Sequence, residues 1–265
     1  MKIIDLTPEY ENQYFCCLEE WSDDIREAGD HKACWYSKMK DKGLRVKLAQ
    51  NDQGIIGGMI QYLPIESAPI EGLNLYYVLC IWVHGYRKGR GNFQNRGMGK
   101  ALLKAAETDV EKLGGRGLVT WGIILPFFMR ARWFKKQGYR VIDKQGLMRL
   151  LWKSFAEDAE PPKFMKARKL PDLIPGKVNV TVFINGWCPA QNLVYERTKK
   201  AAFDFSEKII FNVYRTIDHE LLRFWGNSDA LYIQGKSIWT GPPPSYEKIR
   251  KIIKKHVERL KEADA

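Results

Sequence analysis

The sequence predicts a mixed α/β layer fold over residues 1–156, followed by a smaller α/β unit over residues 178–265. Three observations lead there. Strand-like and helix-like runs alternate through both parts. The interval EDAEPPKFMKARKLPDLIPGK, Glu157 to Lys177, sets Pro161, Pro162, Pro171 and Pro175 among charges. Proline denies both helix interior and central strand, so residues 157–177 read as a linker. Finally, the 265 residues are 45% hydrophobic and 12% aromatic, which suits core building in each part and excludes a chain disordered throughout.

Taken in order, Lys2–Leu6 is a short strand, and Pro8–Glu20 a helix with proline near its first turn and Tyr14, Phe15 and Leu18 toward one side. A second helix is expected around Trp35–Lys42. Leu44–Gln50 and Ile55–Leu63 are strand-like, joined through Asn51-Asp52-Gln53-Gly54, whose turn chemistry suits a hairpin. Leu73–Val83 is apolar almost throughout and reads as a central strand. A glycine-rich loop to Arg96 leads into a helix from Met98 to about Leu113, ended by Gly114-Gly115. Leu118–Ile124 is a strand, Phe127–Gln137 a helix stopped at Gly138, and Tyr139–Trp152 one or two closing strands. Beyond the linker come strand Val178–Ile184, helix Asn192–Phe203, strand Ile209–Arg215 and helix His219–Trp225. A hairpin of Ala230–Gly235 and Ser237–Thr240, turning at Gly235-Lys236, and a basic helix Tyr246–Leu260 close the chain.

Composition narrows the class of function. Lys and Arg number 43 against 31 Asp and Glu, a net +12, which favours anionic partners without naming one. Five cysteines (Cys16, Cys17, Cys34, Cys80 and Cys188) show no paired C-x-x-C spacing, so neither a disulfide scaffold nor a zinc site is expected. The first residues lack a signal-peptide apolar core. The purest apolar run, Tyr76 to Val83, is far short of the roughly 20 residues that cross a bilayer. A soluble, cytoplasmic protein without membrane partners is the expectation.

The chemistry concentrates after the central strand, in Val78-Leu79-Cys80-Ile81-Trp82-Val83, HGYRKGRGNF and Gln94-Asn95-Arg96-Gly97-Met98-Gly99-Lys100. Glycines let backbone approach a ligand, and a helix starting at those glycines turns its free N–H groups and positive dipole end toward the loop. Between Glu71 and Glu107 there is no acidic residue, whereas Arg87, Lys88, Arg90, Arg96, Lys100 and Lys104 are basic. The residues therefore describe an anion site. A nucleoside triphosphate loop is excluded, because Gly97-Met98-Gly99-Lys100 is followed by Ala101 rather than by a magnesium-binding hydroxyl. A dinucleotide fold would place such a turn in the first strand–helix unit, which this stretch is not.

Gln94-x-x-Gly97-x-Gly99 after an apolar strand resembles the pyrophosphate-binding signature of the GNAT superfamily of acyl-CoA N-acyltransferases. Ala131-Arg132-Trp133-Phe134-Lys135-Lys136-Gln137-Gly138-Tyr139 is similar to that superfamily's last helix and following strand, and the element order matches from about Lys2 to Trp152. The resemblance implies a GNAT-like mixed central sheet flanked by helices, and acetyl-CoA as co-substrate. It also implies two neighbouring strands that splay apart and receive pantetheine as a surrogate strand. Ile81 and Val83 would then offer backbone bonds to pantetheine, and Gln94, Asn95, Arg96, Gly97, Met98, Gly99 and Lys100 would hold the pyrophosphate. Arg87, Lys88 or Arg90 either reaches the ribose phosphate or belongs to a solvated basic loop.

Two departures stand out. The stretch from Val83 to Gly97 is longer than the common family spacing, and Phe134 occupies the place where members often carry a tyrosine that protonates the departing thiolate. Acyl transfer to an amine needs a neutral amine and a stabilised oxyanion. Tyr76, Tyr77 and His84 are the nearest candidates for proton relay; Tyr76 and His84 are taken as the catalytic expectation, with packing and solvation as the alternatives. Acceptor-pocket walls are sought in Phe15, Trp21, Trp35 and Tyr36 and in Trp121 to Phe128.

In the second part, Asn185-Gly186-Trp187-Cys188-Pro189-Ala190-Gln191 before a helix resembles the active-site turn of the thioredoxin fold, with Gln191 where the resolving cysteine would stand. A first part of GNAT type with such a tail is similar to the YoaP-type acetyltransferases. The leading reading is an N-acetyltransferase moving an acetyl group from acetyl-CoA to a primary amine, on a small molecule or peptide, by direct attack in a ternary complex. The alternatives are a non-catalytic CoA-binding module and a monothiol protein acting through Cys188. Nucleic acid is not favoured as a partner: Lys248, Arg250, Lys251, Lys254 and Lys255 share the last helix with Ile249, Ile252, Ile253 and Val257 at core spacing, so its basic side reads as a solvated face.

Overall fold

The computed structural model describes residues 1–126, 128–166 and 169–263. Contacts group them into two units, one of residues 1–21 and 37–165, the other of residues 22–36 and 166–265. Residues 22–36 thus pack with the C-terminal unit, and residues 157–165 with the first.

The first unit is built on a sheet of seven strands in the order β1-β2-β3-β5-β6-β8-β7. Its strands are β1 (Lys2–Asp5), β2 (Arg45–Gln50), β3 (Ile56–Pro64), β5 (Tyr76–Val83), β6 (Gly117–Ile123), β7 (Arg140–Gln145) and β8 (Met148–Ser154). Two short strands, β4 (Ile70–Glu71) and β9 (Lys163–Phe164), pair separately. Every neighbour in the large sheet is antiparallel except β5 and β6. Helix α4 (Met98–Lys112) lies across the sheet, burying Met98, Leu102, Leu103, Ala106 and Val110, a 3–4 spacing that makes one apolar stripe. Each buried leucine stabilises by about 1.5–3 kcal/mol. Helix α5 (Ala131–Lys136) adds Ala131 and Phe134 to the same core.

The expected helix over Pro8–Glu20 is shorter. A 3-10 turn at Pro8–Tyr10 runs into α1 (Glu11–Phe15), because Cys17 and Leu18 take positive φ of 50° and 64° and break the repeat. The helix expected at Trp35–Lys42 begins earlier: α2 (Asp23–Glu27) and α3 (His31–Met39) precede a 3-10 turn at Lys40–Lys42. The helix expected from Phe127 starts only at Ala131, and Phe127 itself lies outside the described residues.

In the second unit four strands are ordered β11-β10-β12-β13, namely β10 (Val178–Ile184), β11 (Ile209–Arg215), β12 (Ala230–Ile233) and β13 (Lys236–Ile238). β10 is parallel to β11 and antiparallel to β12. Helices α6 (Pro189–Phe203), α7 (His219–Trp225) and α8 (Tyr246–Ala263) accompany them. The hairpin turns at Gln234 and Gly235, both at positive φ, one residue earlier than expected, as a two-residue turn matched to strand twist demands. Ile249, Ile253 and Val257 of α8 pack against the inward side chains of β10 and β12. Arg197 on α6 holds residues 22–36 in this unit, bonding Asp24 at 2.7 Å and Glu27 at 2.8 Å. Among the described residues no helix is long and apolar enough to cross a membrane.

Candidate active site

The site begins with a defect in the central strand. Gln61 of β3 faces Cys80, but Tyr62 faces Val78, so Leu79 is the extra residue of a β-bulge. A bulge bends and twists its strand. On its other edge β5 pairs with β6 only through Tyr76, Tyr77 and Val78. From Leu79 onward the two strands part, and the β6-facing backbone of Leu79–Val83 has no strand opposite. One of those groups is answered by a side chain: Trp121 Nε1 donates to the Leu79 carbonyl at 2.8 Å.

After Val83 the chain folds back as a braced loop. The His84 N–H donates to the Gly57 carbonyl at 2.9 Å, and Phe93 N–H donates to the His84 carbonyl at 2.9 Å. His84 is fully buried, with Nδ1 2.8 Å from the Gly91 carbonyl and Nε2 3.2 Å from Trp21 Nε1. A carbonyl only accepts, so Nδ1 carries the proton and Nε2 accepts from the indole. Both ring nitrogens are thereby engaged in closing the loop. Arg90 is similarly committed, to Glu20, to Gln13 Oε1 at 3.0 Å and to the Ile56 carbonyl at 3.1 Å, while Lys88 lies 4.8 Å from the centre of the Trp21 ring. Burial alone would raise the Glu20 carboxyl; the Arg90 guanidinium outweighs it and holds the group below its ordinary value. Of the three loop cations considered for a ribose phosphate, Arg90 is a structural brace.

The loop ends on the helix without a side-chain cap. Gly97 is the N-cap residue of α4 at φ 82°, a left-handed conformation natural to glycine, and no acidic residue stands in the first turn. Ala101 N–H bonds the Gly97 carbonyl, which leaves the N–H groups of the first turn for an outside acceptor. A Cβ built on Gly97 would meet open space, and one on Gly99 would come to 3.5 Å from Trp133 and 3.7 Å from Val83.

These surfaces enclose a cavity of about 670 Å³, whose lining includes Ile81, Val83, Gln94, Asn95, Gly97, Met98, Gly99 and Lys100 from the stretch singled out in the sequence. Arg96 is not among its walls; its guanidinium lies 5.6 Å from the centre of the Phe93 ring. The opposite wall comes from α5 and the residues before it, with Phe128, Arg130, Arg132, Trp133, Phe134 and Lys136. Among the described residues four cations, Lys100, Arg130, Arg132 and Lys136, line the cavity, and no acid does. The α5 cations were missed in the sequence, although Arg132 and Lys136 stand four apart on an expected helix, the spacing that puts two side chains on one face.

Tyr76 and His84 are not brought to the cavity. Tyr76 lies at the joined end of β5, opposite Leu118, with its ring 6.4 Å from that of Tyr62; desolvation first, then Asp109 and Glu66, raises its phenol. Tyr77 is buried, which pushes its phenol far up. Phe134 is fully buried between Trp133 at 4.9 Å and Tyr139 at 5.8 Å, ring centre to ring centre. Among the described residues no hydroxyl, thiol or imidazole lines the cavity. Two of the residues sought as acceptor walls, Trp35 and Tyr36, group with the second unit, where Trp35 is buried against Gly186.

No family model matches the chain. It is 27% identical over 218 residues, 77% of this chain and 81% of the relative, to a Bacillus subtilis (strain 168) protein described as an uncharacterized N-acetyltransferase, YoaP. Among solved structures, it is similar to a GNAT-family acetyltransferase from Staphylococcus aureus, at a TM-score of 0.43 and 18% identity over 58% of this chain and 99% of that one. The PaiA N-acetyltransferase of Thermoplasma acidophilum, solved with coenzyme A, gives a TM-score of 0.43 at 18% identity, covering 58% of this chain and all of that one (100%).

Proposed function

We propose that the first unit is an acyl-CoA-dependent N-acetyltransferase of GNAT type, using acetyl-CoA as co-substrate and a primary amine as acceptor. One observation carries the reading: the parted β5 and β6 and the uncapped start of α4 open into the same cation-lined cavity. Its volume falls within the roughly 300–1,000 Å³ of small-molecule sites. The kinship to YoaP supports the same class.

The donor set fits coenzyme A. First-turn N–H groups of α4 and the side chains of Lys100, Arg132 and Lys136 suit phosphates. The backbone of Ile81 and Val83, without a strand opposite on the β6 side, suits an extended arm bearing amides. When bound, acetyl-CoA supplies an acetyl group activated as a thioester. The chain's own contribution is to orient it along β5, to offer backbone N–H groups to the developing oxyanion and to exclude water with Phe128, Trp133 and Phe134. Among the described residues no titratable hydroxyl, thiol or imidazole lines the cavity; in this reading the amine attacks in its neutral form, the C–S bond breaks to release coenzyme A as its thiolate, and solvent both takes the amine proton and protonates the thiolate. Tyr76 and His84 serve the site as packing and loop-bracing groups in this reading.

Titration calorimetry with acetyl-CoA, followed by thiol release across a panel of primary amines, tests the proposal. Heat of binding with amine-dependent release of free thiol supports it; absence of binding removes it. Binding without turnover on any amine would instead favour a non-catalytic CoA-binding module, the reading that phenylalanine rather than tyrosine at position 134 favours.

The second unit is read as thioredoxin-like with a structural role. Its β11-β10-β12-β13 order, with one parallel and two antiparallel neighbours, supports this, as does Cys188 at the N-cap of α6 with Gln191, not cysteine, three residues on.

A further inference from the structure

Trp82 and Phe128 line the cavity and also belong to an aromatic cluster beside the parted strands. Phe128 lies 5.7 Å from Trp82 and 5.9 Å from Trp121, ring centre to ring centre; Tyr86 lies 6.3 Å from Trp82 and 5.4 Å from Trp21. The cluster is open to solvent, since Tyr86 is 46% and Phe128 37% exposed. Exposed large rings grouped in this way mark a binding surface more often than scattered ones do.

One further feature gives that surface a chemical preference. Trp82 Nε1 is buried and meets no acceptor among the described residues. A buried donor left unmatched is costly, so this one is suited to an acceptor atom on a ligand.

We infer that this aromatic corner is the acceptor subsite, and that it selects an arylalkylamine whose ring carries a hydrogen-bonding oxygen. The inference rests on the acetyltransferase reading above and names the substrate class for it. The flat ring would stack on Tyr86 and Phe128, the oxygen would accept from Trp82 Nε1, and the amine would face the opening between β5 and β6.

Tyramine and butylamine, two primary amines that differ in the ring and its oxygen, are the probes. Acetyl-CoA binding is measured by calorimetry, tyramine binding by tryptophan fluorescence without acetyl-CoA, and KM for each amine by thiol release. The expected results are a KM at least tenfold lower for tyramine than for butylamine, a rise of about fivefold in tyramine KM for Tyr86→Ala, and recovery in Tyr86→Phe with unchanged acetyl-CoA affinity. Equal KM for the two amines, or a tyramine KM unmoved by Tyr86→Ala, overturns the inference while leaving the transferase reading in place. Fluorescence response to tyramine in a protein that does not bind acetyl-CoA removes the transferase reading and leaves an amine site. If neither molecule binds, both fall.

Discussion

The corners β5–α4 and β10–α6 are the same construction used twice: a buried strand runs out of a sheet and a 15-residue helix starts without a side-chain cap. They differ in what fills the turn. At α4 the N-cap is Gly97, open space surrounds it, and the neighbouring strand has parted. At α6 the chain fills the turn itself. Pro189 at the first helical position removes one N–H, and Asn192 Nδ2 donates to the Gly186 carbonyl at 3.0 Å. Asn185 N–H donates to Asp229 at 3.0 Å, and a Cβ on Gly186 would press on Trp35 at 3.2 Å. A helix start therefore keeps its donors open to an outside acceptor only where neighbouring residues leave them and the adjoining volume unclaimed.

The largest effect that would break this contrast is steric. Gly99→Trp should weaken acetyl-CoA binding at least 100-fold, about 2.7 kcal/mol, with thermal unfolding little changed, because the added ring enters the cavity toward Trp133 and Val83. The matching substitution Ala190→Trp at the α6 corner should leave acetyl-CoA affinity within about twofold by the same calorimetry. Equal losses at both corners would show that the α4 start is not the special one.

Charge gives a smaller effect. Arg132→Ala should weaken acetyl-CoA about tenfold, ~1.4 kcal/mol, and the loss should shrink as salt is raised, since the contact proposed for Arg132 is to phosphate. A salt-independent loss would point to packing instead. Next comes the capped helix of the second unit: Asp218 accepts from the N–H groups of Glu220 and Leu221, and Asp218→Ala should cost about 1 kcal/mol in chemical denaturation with no change in acetyl-CoA binding.

The smallest contrast is in acid. Burial would raise the Asp109 carboxyl of the first unit, but hydrogen bonds from Arg45 and Tyr62 outweigh it and hold the group below its ordinary value. Its stabilising contribution is present above the unfolded carboxyl pKa of about 4 and is lost as pH falls through the lower folded value. Asp229 of the second unit is shifted the other way, raised by desolvation against bonds from Asn185, Ser228 and Trp187. Its contribution is present below about pH 4 and is lost as pH rises through the higher folded value. Denaturation followed from pH 3 to pH 7 should therefore show Asp109→Asn reducing the acid sensitivity of the wild type, and Asp229→Asn costing less at pH 7 than at pH 3. The reverse order in either variant would contradict these assignments.

Much of this was legible in the sequence because it is local. Gly97-Met98-Gly99, the acid-free window and the apolar run to Val83 each speak through composition and spacing, and the cavity takes ten of those residues as its wall. The early helices were less legible. The Pro8–Glu20 stretch has helical spacing, yet positive φ at Cys17 and Leu18 ends α1 at Phe15, and no residue there announces it as glycine would. His84 looked like a proton relay from its place at the end of a strand; only the Gly91 carbonyl and the Trp21 indole, distant in sequence or set by the loop's path, show that both nitrogens brace the loop.

By itself the sequence determined the alternation of elements, the open helix start at Gly97 and the positive field around it, since propensity, glycine and charge act within a few residues. Tertiary structure decided the rest. The bulge at Leu79 parts β5 from β6, α5 turns Arg132 and Lys136 onto the same cavity, and residues 22–36 join the second unit through Arg197. Each depends on which strand or helix lies opposite, a long-range pairing whose energy comes from burial and register between distant segments.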